Sequence, residues 1–183
     1  MSMYQRLLKN LKEVATEKLQ DLRFQKINTW MIYSMSRPDW DSIWIEFAQN
    51  IARRSIDPKH KVGAVIITED NTQVLALGYN GDHKGGPNCR DSMKEGASGL
   101  IHAEINALIK CDYNNPKDKK MYVTLSPCEV CSKAIVNSGI KEVIFLERYR
   151  DTKGICILEE SGVITRQYDS EESCDVNISK NNN

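Results

Sequence analysis

Between residues 120 and 166 the chain alternates apolar runs with helical segments: KMYVTL, PCEVCSKAIVNS, KEVIFL, GICILEESG and VITR. The β-branched and aromatic runs read as strands and the segments between them as helices, the first of these ending at Gly139. Such alternation argues an α/β sandwich whose second half is mostly parallel. Upstream, KVGAVIIT and NTQVLALGYNG are nearly continuous apolar runs, and they read as buried strands joined by the turn Glu69-Asp70-Asn71. Before them, RPDWDSIWIEFAQNIARRS reads as a helix. Asp39 or Asp41 can cap it, and Trp40, Ile43, Trp44, Phe47, Ala48 and Ile51 form its apolar stripe. Residues 81–100, with five glycines and a proline, read as loop, and a helix follows over about 102–112.

Outside this region the sequence is less constraining. Leu8, Leu11, Ala15, Leu19 and Leu22 recur at helical spacing, so residues 1–35 are expected to form an amphipathic helical extension, packed on its own domain or meeting another subunit. Residues 169–183 are polar and are expected to be disordered. Lys plus Arg equals Asp plus Glu at 25 each, which argues against a nucleic-acid partner, because such partners demand a basic face. No apolar run approaches the ~20 residues that span a bilayer, so no membrane partner is expected. The first residues lack the apolar core of a secretory signal. A cytoplasmic protein is therefore expected, and its six cysteines read as metal ligands or buried thiols rather than disulfides.

The chemistry concentrates in LSPCEVCSKAI. Ser126 is a candidate N-cap, Pro127 fits the first helical position, and Glu129 stands three residues after the serine as a capping box requires. This gives Glu129 a structural role. Cys128 and Cys131 then share one face of the first turn, where the positive end of the helix dipole favours thiolates. A lone C-x-x-C also suits a redox pair. Zinc with an open position needs a third protein ligand. Of the three histidines, His60 and His83 lie in loops, whereas His102 also starts a helix. Two helix starts facing each other across adjacent strands would bring His102, Cys128 and Cys131 together. Glu104, two residues after His102, completes an H-x-E…P-C-x-x-C pattern. In that pattern zinc activates a water and the acid carries protons without binding the metal.

These residues resemble the deoxycytidylate (dCMP) deaminases of the cytidine deaminase superfamily. The likeness rests on RPDWDSIWIEFAQNIARRS, VGAVI with GYNG, HAEINAL, and YVTLSPCEVCSKAIVNSGIKEVIF, and it spans roughly residues 37–168. Asn106-Ala107 and Gly78-Tyr79-Asn80-Gly81 resemble this branch more than the tRNA adenosine deaminases. The resemblance implies a three-layer α/β/α sandwich on a mixed five-stranded sheet, forming a zinc-dependent deaminase domain over 36–168. It implies one catalytic Zn²⁺ on His102, Cys128 and Cys131, with Glu104 as the acid–base. It implies hydrolysis of dCMP to dUMP and ammonia, the dUMP feeding thymidylate synthesis. Alternatives are a deaminase of dCTP or of a cytidine nucleoside, or one acting on a base in tRNA or single-stranded nucleic acid. A non-catalytic zinc-stabilised assembly module is a further alternative, against which Glu104 argues.

Carried over residue by residue, the resemblance places Asn80, Ala103, Ser126 and Tyr149 against the substrate. Asn80 would contact the deoxyribose or serve as a left-handed turn residue. The 5′-phosphate needs cationic donors, and Arg90, Lys84, Arg148, Arg150 and Lys153 are expected in loops facing the site. The family also implies homo-oligomers, dimers or hexamers, with dCTP and dTTP as effectors and Mg²⁺ accompanying a bound triphosphate. The loop NGDHKGG departs from the family's N-G-x-P-x-G at the proline. His83 and Cys89 stand where some relatives hold a second zinc, but two ligands do not make a site, and one zinc is expected.

Overall fold

The computed structural model describes Lys18, residues 37–94 and residues 96–169. The chain divides into two compact units, Met1–Pro38 and Asp39–Asn183, and the second carries the elements below. Apart from Lys18 and Asp169, the helix expected over 1–35 and the tail expected over 169–183 lie outside the described residues.

Helix α1 spans Trp40–Ala52. Asp39 is its cap: Oδ1 accepts from the Ser42 N–H at 2.9 Å, and the Ser42 hydroxyl donates back to the Asp39 carbonyl at 2.8 Å. Asp41 instead accepts from the buried Tyr122 hydroxyl at 2.6 Å and pairs with Arg166 at 2.8 Å, tying α1 to the sheet. The buried face of α1 is Ser42, Trp44, Ile45, Ala48 and Ala52. The expected stripe was therefore misplaced by part of a turn, since Trp40 is 47% exposed and Ile43 37%. The cause is Gly63 on the first strand. A side chain there would collide with the Ala48 carbonyl and the Ala52 nitrogen, so α1 presses its small residues onto the glycine. Ile45 turns inward as a result, and Trp40 is left stacked on Trp44 with ring centres 5.7 Å apart.

Five strands follow: β1 (Gly63–Thr68), β2 (Val74–Tyr79), β3 (Lys119–Leu125), β4 (Glu142–Glu147) and β5 (Ile164–Gln167). Their order in the sheet is β2-β1-β3-β4-β5. β1 pairs antiparallel with β2 and β3, while β3, β4 and β5 are parallel. Every residue of β1 is buried, as its continuous apolar sequence requires of a central strand covered on both faces. Helices α2 (Ala103–Leu108), α3 (Glu129–Ser138) and α4 (Lys153–Glu160) alternate with the later strands. Trp44, Ile45 and Ala48 of α1 pack with Val65, Ile67, Tyr122 and Ile144 on one face. On the other, Ala64, Ile66, Met121, Val123, Val143 and Phe145 meet Ala103, Ala107, Ile135 and Leu158. This is the expected three-layer sandwich on a mixed five-stranded sheet. No helix among the described residues is long and apolar enough to cross a membrane.

Because β1 is antiparallel to both neighbours, β2 and β3 point the same way. The C-terminal ends of β2, β3 and β4 therefore lie at one edge, together with the residues that lead into β1. The opening of α2 is set there by Gly78, where a side chain would overlap the Ala103 carbonyl and sit 2.5 Å from the Ala107 nitrogen. The Asn106 amide also donates to the Tyr79 carbonyl at 2.9 Å. Gly78→Ala should therefore lift the first turn of α2 off the sheet and destabilise the protein by about 1–3 kcal/mol, the usual scale of overpacking. Denaturant unfolding measures this, and a variant as stable as the parent would show that the contact yields freely.

Candidate active site

That edge carries a cavity of about 460 Å³. Its walls come from the loop before β1 (Asp57, His60), from Asn80 after β2, from the start of α2, from Leu125 at the end of β3 with Ser126 and Cys128 beyond it, and from Tyr149 after β4.

His102 is the N-cap residue of α2 and Cys128 the N-cap residue of α3, each with extended backbone and neither using its side chain to cap. Both side chains are thus free to point off the helix ends. Cys131 is the third residue of α3. Nδ1 of His102 lies 3.4 Å from the Sγ of Cys128 and 3.4 Å from that of Cys131. All three ligand atoms fall within 4.8 Å of one another. Zinc–sulfur bonds of ~2.3 Å and a zinc–nitrogen bond of ~2.0 Å at tetrahedral angles place nitrogen and sulfur about 3.5 Å apart. The residues therefore fit a zinc ion with one position left open. Among the described residues this is the one His/Cys/Asp/Glu group with such spacing. Of the two residues set aside as too few for a second site, His83 bonds Asp82 at 2.8 Å, and Cys89 is exposed.

The three side chains are electrostatically coupled. A hydrogen bond from the Cys131 thiol pulls Cys128 down to about 4, and the same bond pushes Cys131 up. The bond to Cys128 raises His102. Glu104, the second residue of α2, is only 4% exposed, and burial raises its carboxyl above the ordinary value. It lines the same cavity as the three ligands.

The expected capping box at α3 is not formed. The helix begins at Glu129, one residue after Cys128. Ser126 still belongs to the sheet, donating its N–H to the Glu147 carbonyl at 2.8 Å, so it stands too early to cap. Its hydroxyl instead accepts from the Tyr149 N–H at 2.7 Å and fixes the loop that carries the tyrosine. Glu129 pairs with Lys133 at 2.7 Å on the exposed side of α3. Helix α2 is also shorter than expected, ending at Leu108 rather than near 112.

Asn80 is 7% exposed, with its amide fully engaged. The oxygen accepts from the Val62 N–H at 2.8 Å, and the nitrogen donates to the His60 carbonyl at 2.8 Å and to Asp57 Oδ2 at 3.2 Å. It is not in the left-handed region, which among the non-glycine residues holds Asn71 and Asn88. Ala103, Ser126 and Tyr149 all line the cavity. Of the cationic candidates, Arg90 lines it and Lys84, Arg148, Arg150 and Lys153 do not. Arg148 bonds Gln167 at 2.9 Å and lies over the Phe145 ring, Arg150 lies over Tyr149, and Lys153 is the first residue of α4 rather than a loop residue. Asp57 was not singled out in the sequence, and His60 was set aside there as a loop histidine.

The profile of the "cytidine and deoxycytidylate deaminase zinc-binding region" matches residues 38–147. A deoxycytidylate deaminase of Saccharomyces cerevisiae is 34% identical over 146 residues, 73% of this chain and 46% of that protein. That of Mycobacterium phage D29 is 36% identical over 126 residues, 61% of this chain and 97% of its own length. The chain thus spans about half of the yeast relative and nearly all of the phage one. The dCMP deaminase of cyanophage S-TIM5, solved in complex with dCMP and dUMP, superposes with a TM-score of 0.63 at 31% identity, covering 73% of this chain and 99% of the other. The matched stretch holds the whole ligand set and the buried acid beside it: the chain belongs to the cytidine and deoxycytidylate deaminase family.

Proposed function

We propose that the chain catalyses the zinc-dependent hydrolysis of dCMP to dUMP and ammonia, the dUMP serving thymidylate synthesis. The observation that carries this reading is one cavity holding a three-ligand nitrogen–sulfur–sulfur set and a buried carboxyl that is not a ligand. His102, Cys128 and Cys131 hold the metal. Bound zinc supplies a water acidic enough to react near neutral pH. Glu104 takes one proton from the attacking water and gives it to the ring nitrogen, then takes the proton of the hydroxyl now on the ring carbon and gives it to the departing amine, so both hydrogens of one water are used and one ammonia leaves. Its burial suits this task, because desolvation raises the carboxyl above its ordinary value and makes it a better proton acceptor than an exposed glutamate. The Ala103 N–H opens α2, where backbone donors lack intrahelical partners, and it faces the base carbonyl. The Ser126 hydroxyl, accepting from Tyr149, keeps its own proton to donate. Tyr149 walls the cavity beside the base. Arg90 meets the 5′-phosphate, as the cation among the candidates that reaches the cavity.

The S-TIM5 relative, with dCMP and dUMP bound, supports this substrate over others. The test is ammonia and dUMP release from dCMP, set beside deoxycytidine, CMP and dCTP at equal concentration. We expect dCMP to react fastest. Turnover of deoxycytidine with dCMP inert would overturn the substrate.

A further inference from the structure

Asp57 lies in the loop between α1 and β1 and is 3% exposed. Its carboxylate is saturated. Oδ1 accepts from the Lys59 N–H at 2.8 Å and the His60 N–H at 3.3 Å. Oδ2 accepts from Asn80 Nδ2 at 3.2 Å and from Arg90 Nη1 at 2.6 Å. It can offer nothing further to a ligand, although it lines the cavity. What it does is gather three chain segments that are distant in sequence.

Arg90 depends on it most. The residue comes from the long 81–100 loop, and its side chain is 8% exposed. Its other bond, Nε to the Ser92 carbonyl at 3.1 Å, stays within that loop. Asp57 is therefore what anchors the guanidinium outside its own loop, to the segment that leads into β1. With Nε and Nη1 occupied, Nη2 is the corner of the fork without a hydrogen-bond partner among the described residues. Four donors already share the Asp57 charge, so the guanidinium keeps its attraction for a second anion.

We propose that Asp57 is a positioning residue that, by pinning Arg90, makes the cavity select nucleosides carrying an anionic 5′ group. The proposal rests on Arg90 being the phosphate contact. It assigns Asp57 no bond to substrate, and it gives the buried ion pair a use in recognition: the fork is held in one orientation before ligand arrives.

The test is calorimetric binding of dUMP and of deoxyuridine to the zinc-loaded full chain, with melting and zinc content as controls. The ratio of the two dissociation constants isolates the phosphate. In Asp57→Asn, which keeps shape but not charge, the ratio should shrink on the order of tenfold through weaker dUMP binding, as loss of a charge-assisted anchor predicts. Deoxyuridine binding should hold. Arg90→Lys keeps the charge but not the fork, leaves Asp57 in place, and should show the same selective loss; it decides the matter if Asp57→Asn does not fold. Equal weakening of both ligands in a folded Asp57→Asn protein would make the residue structural and overturn the proposal. So would the parent's ratio in Arg90→Lys. Arg90→Gln separates the two readings. The parent's ratio there would remove the phosphate contact itself, whereas a reduced ratio there with the parent's ratio in Asp57→Asn would overturn only the positioning role.

Discussion

Glu104→Ala should keep one zinc per chain and lower kcat by at least ~10²–10⁴-fold, the range that a positioned acid–base contributes. The expectation follows from geometry. His102, Cys128 and Cys131 make a complete three-ligand set without the carboxyl, so the metal does not depend on it. The carboxyl nevertheless sits in the metal's cavity, nearly sealed from solvent. A helix-stabilising acid would belong at a wet first turn, where it is worth about 0.3–1 kcal/mol. At 4% exposure Glu104 instead carries a desolvation cost that stability alone does not explain. Removing it should leave the melting temperature unchanged or raised, because burial disfavours the ionised form that alanine deletes. Metal analysis, melting and single-turnover ammonia release on the same preparation check the three parts together. Full activity would sink the proton-carrier role, and loss of zinc would make Glu104 part of the metal site.

How much of this was legible in the sequence depends on how local each feature is. The strands and helices from 120 onward were readable because hydrophobic period and flanking glycines are local. The zinc ligands were readable because their spacing repeats the geometry of two helix starts. The capping box failed at its first residue: S-P-x-E is a good local signal, but the β3–β4 ladder claims Ser126 through the Glu147 carbonyl. The stripe of α1 failed because Gly63, eleven or more residues downstream, decides which helix residues come closest to the sheet. Asp57 was illegible for the same reason. Its side-chain partners stand at 80 and 90, and no local pattern marks an acid that will be closed over by other segments. Asn80, a candidate substrate contact in the sequence, lines the cavity, but its amide is spent on Val62, His60 and Asp57, which only the folded chain reveals.

Cys128→Ser should lose zinc, activity and stability together, and chelation of the parent protein should reproduce the stability loss. Serine keeps the extended N-cap conformation of Cys128 and is itself a good cap, so the change by itself favours α3. Any loss therefore reports the metal. The hydrogen bond between Cys128 and Cys131 draws the first sulfur down to about 4 and pushes the other up. Bound zinc would take both sulfurs and, through His102, would join the first turn of α3 to the start of α2. A ligand present at 1,000 times its dissociation constant adds about 4 kcal/mol. For a domain of this size, ~2–4 °C per kcal/mol then gives a fall of roughly 8–16 °C. Melting curves with and without chelator should thus separate for the parent and coincide for Cys128→Ser. Such a pattern would make the metal part of what holds α3 and the short helix α2 (Ala103–Leu108) in register. A Cys128→Ser protein that holds stoichiometric zinc and responds to chelator as the parent does would remove Cys128 from the ligand set.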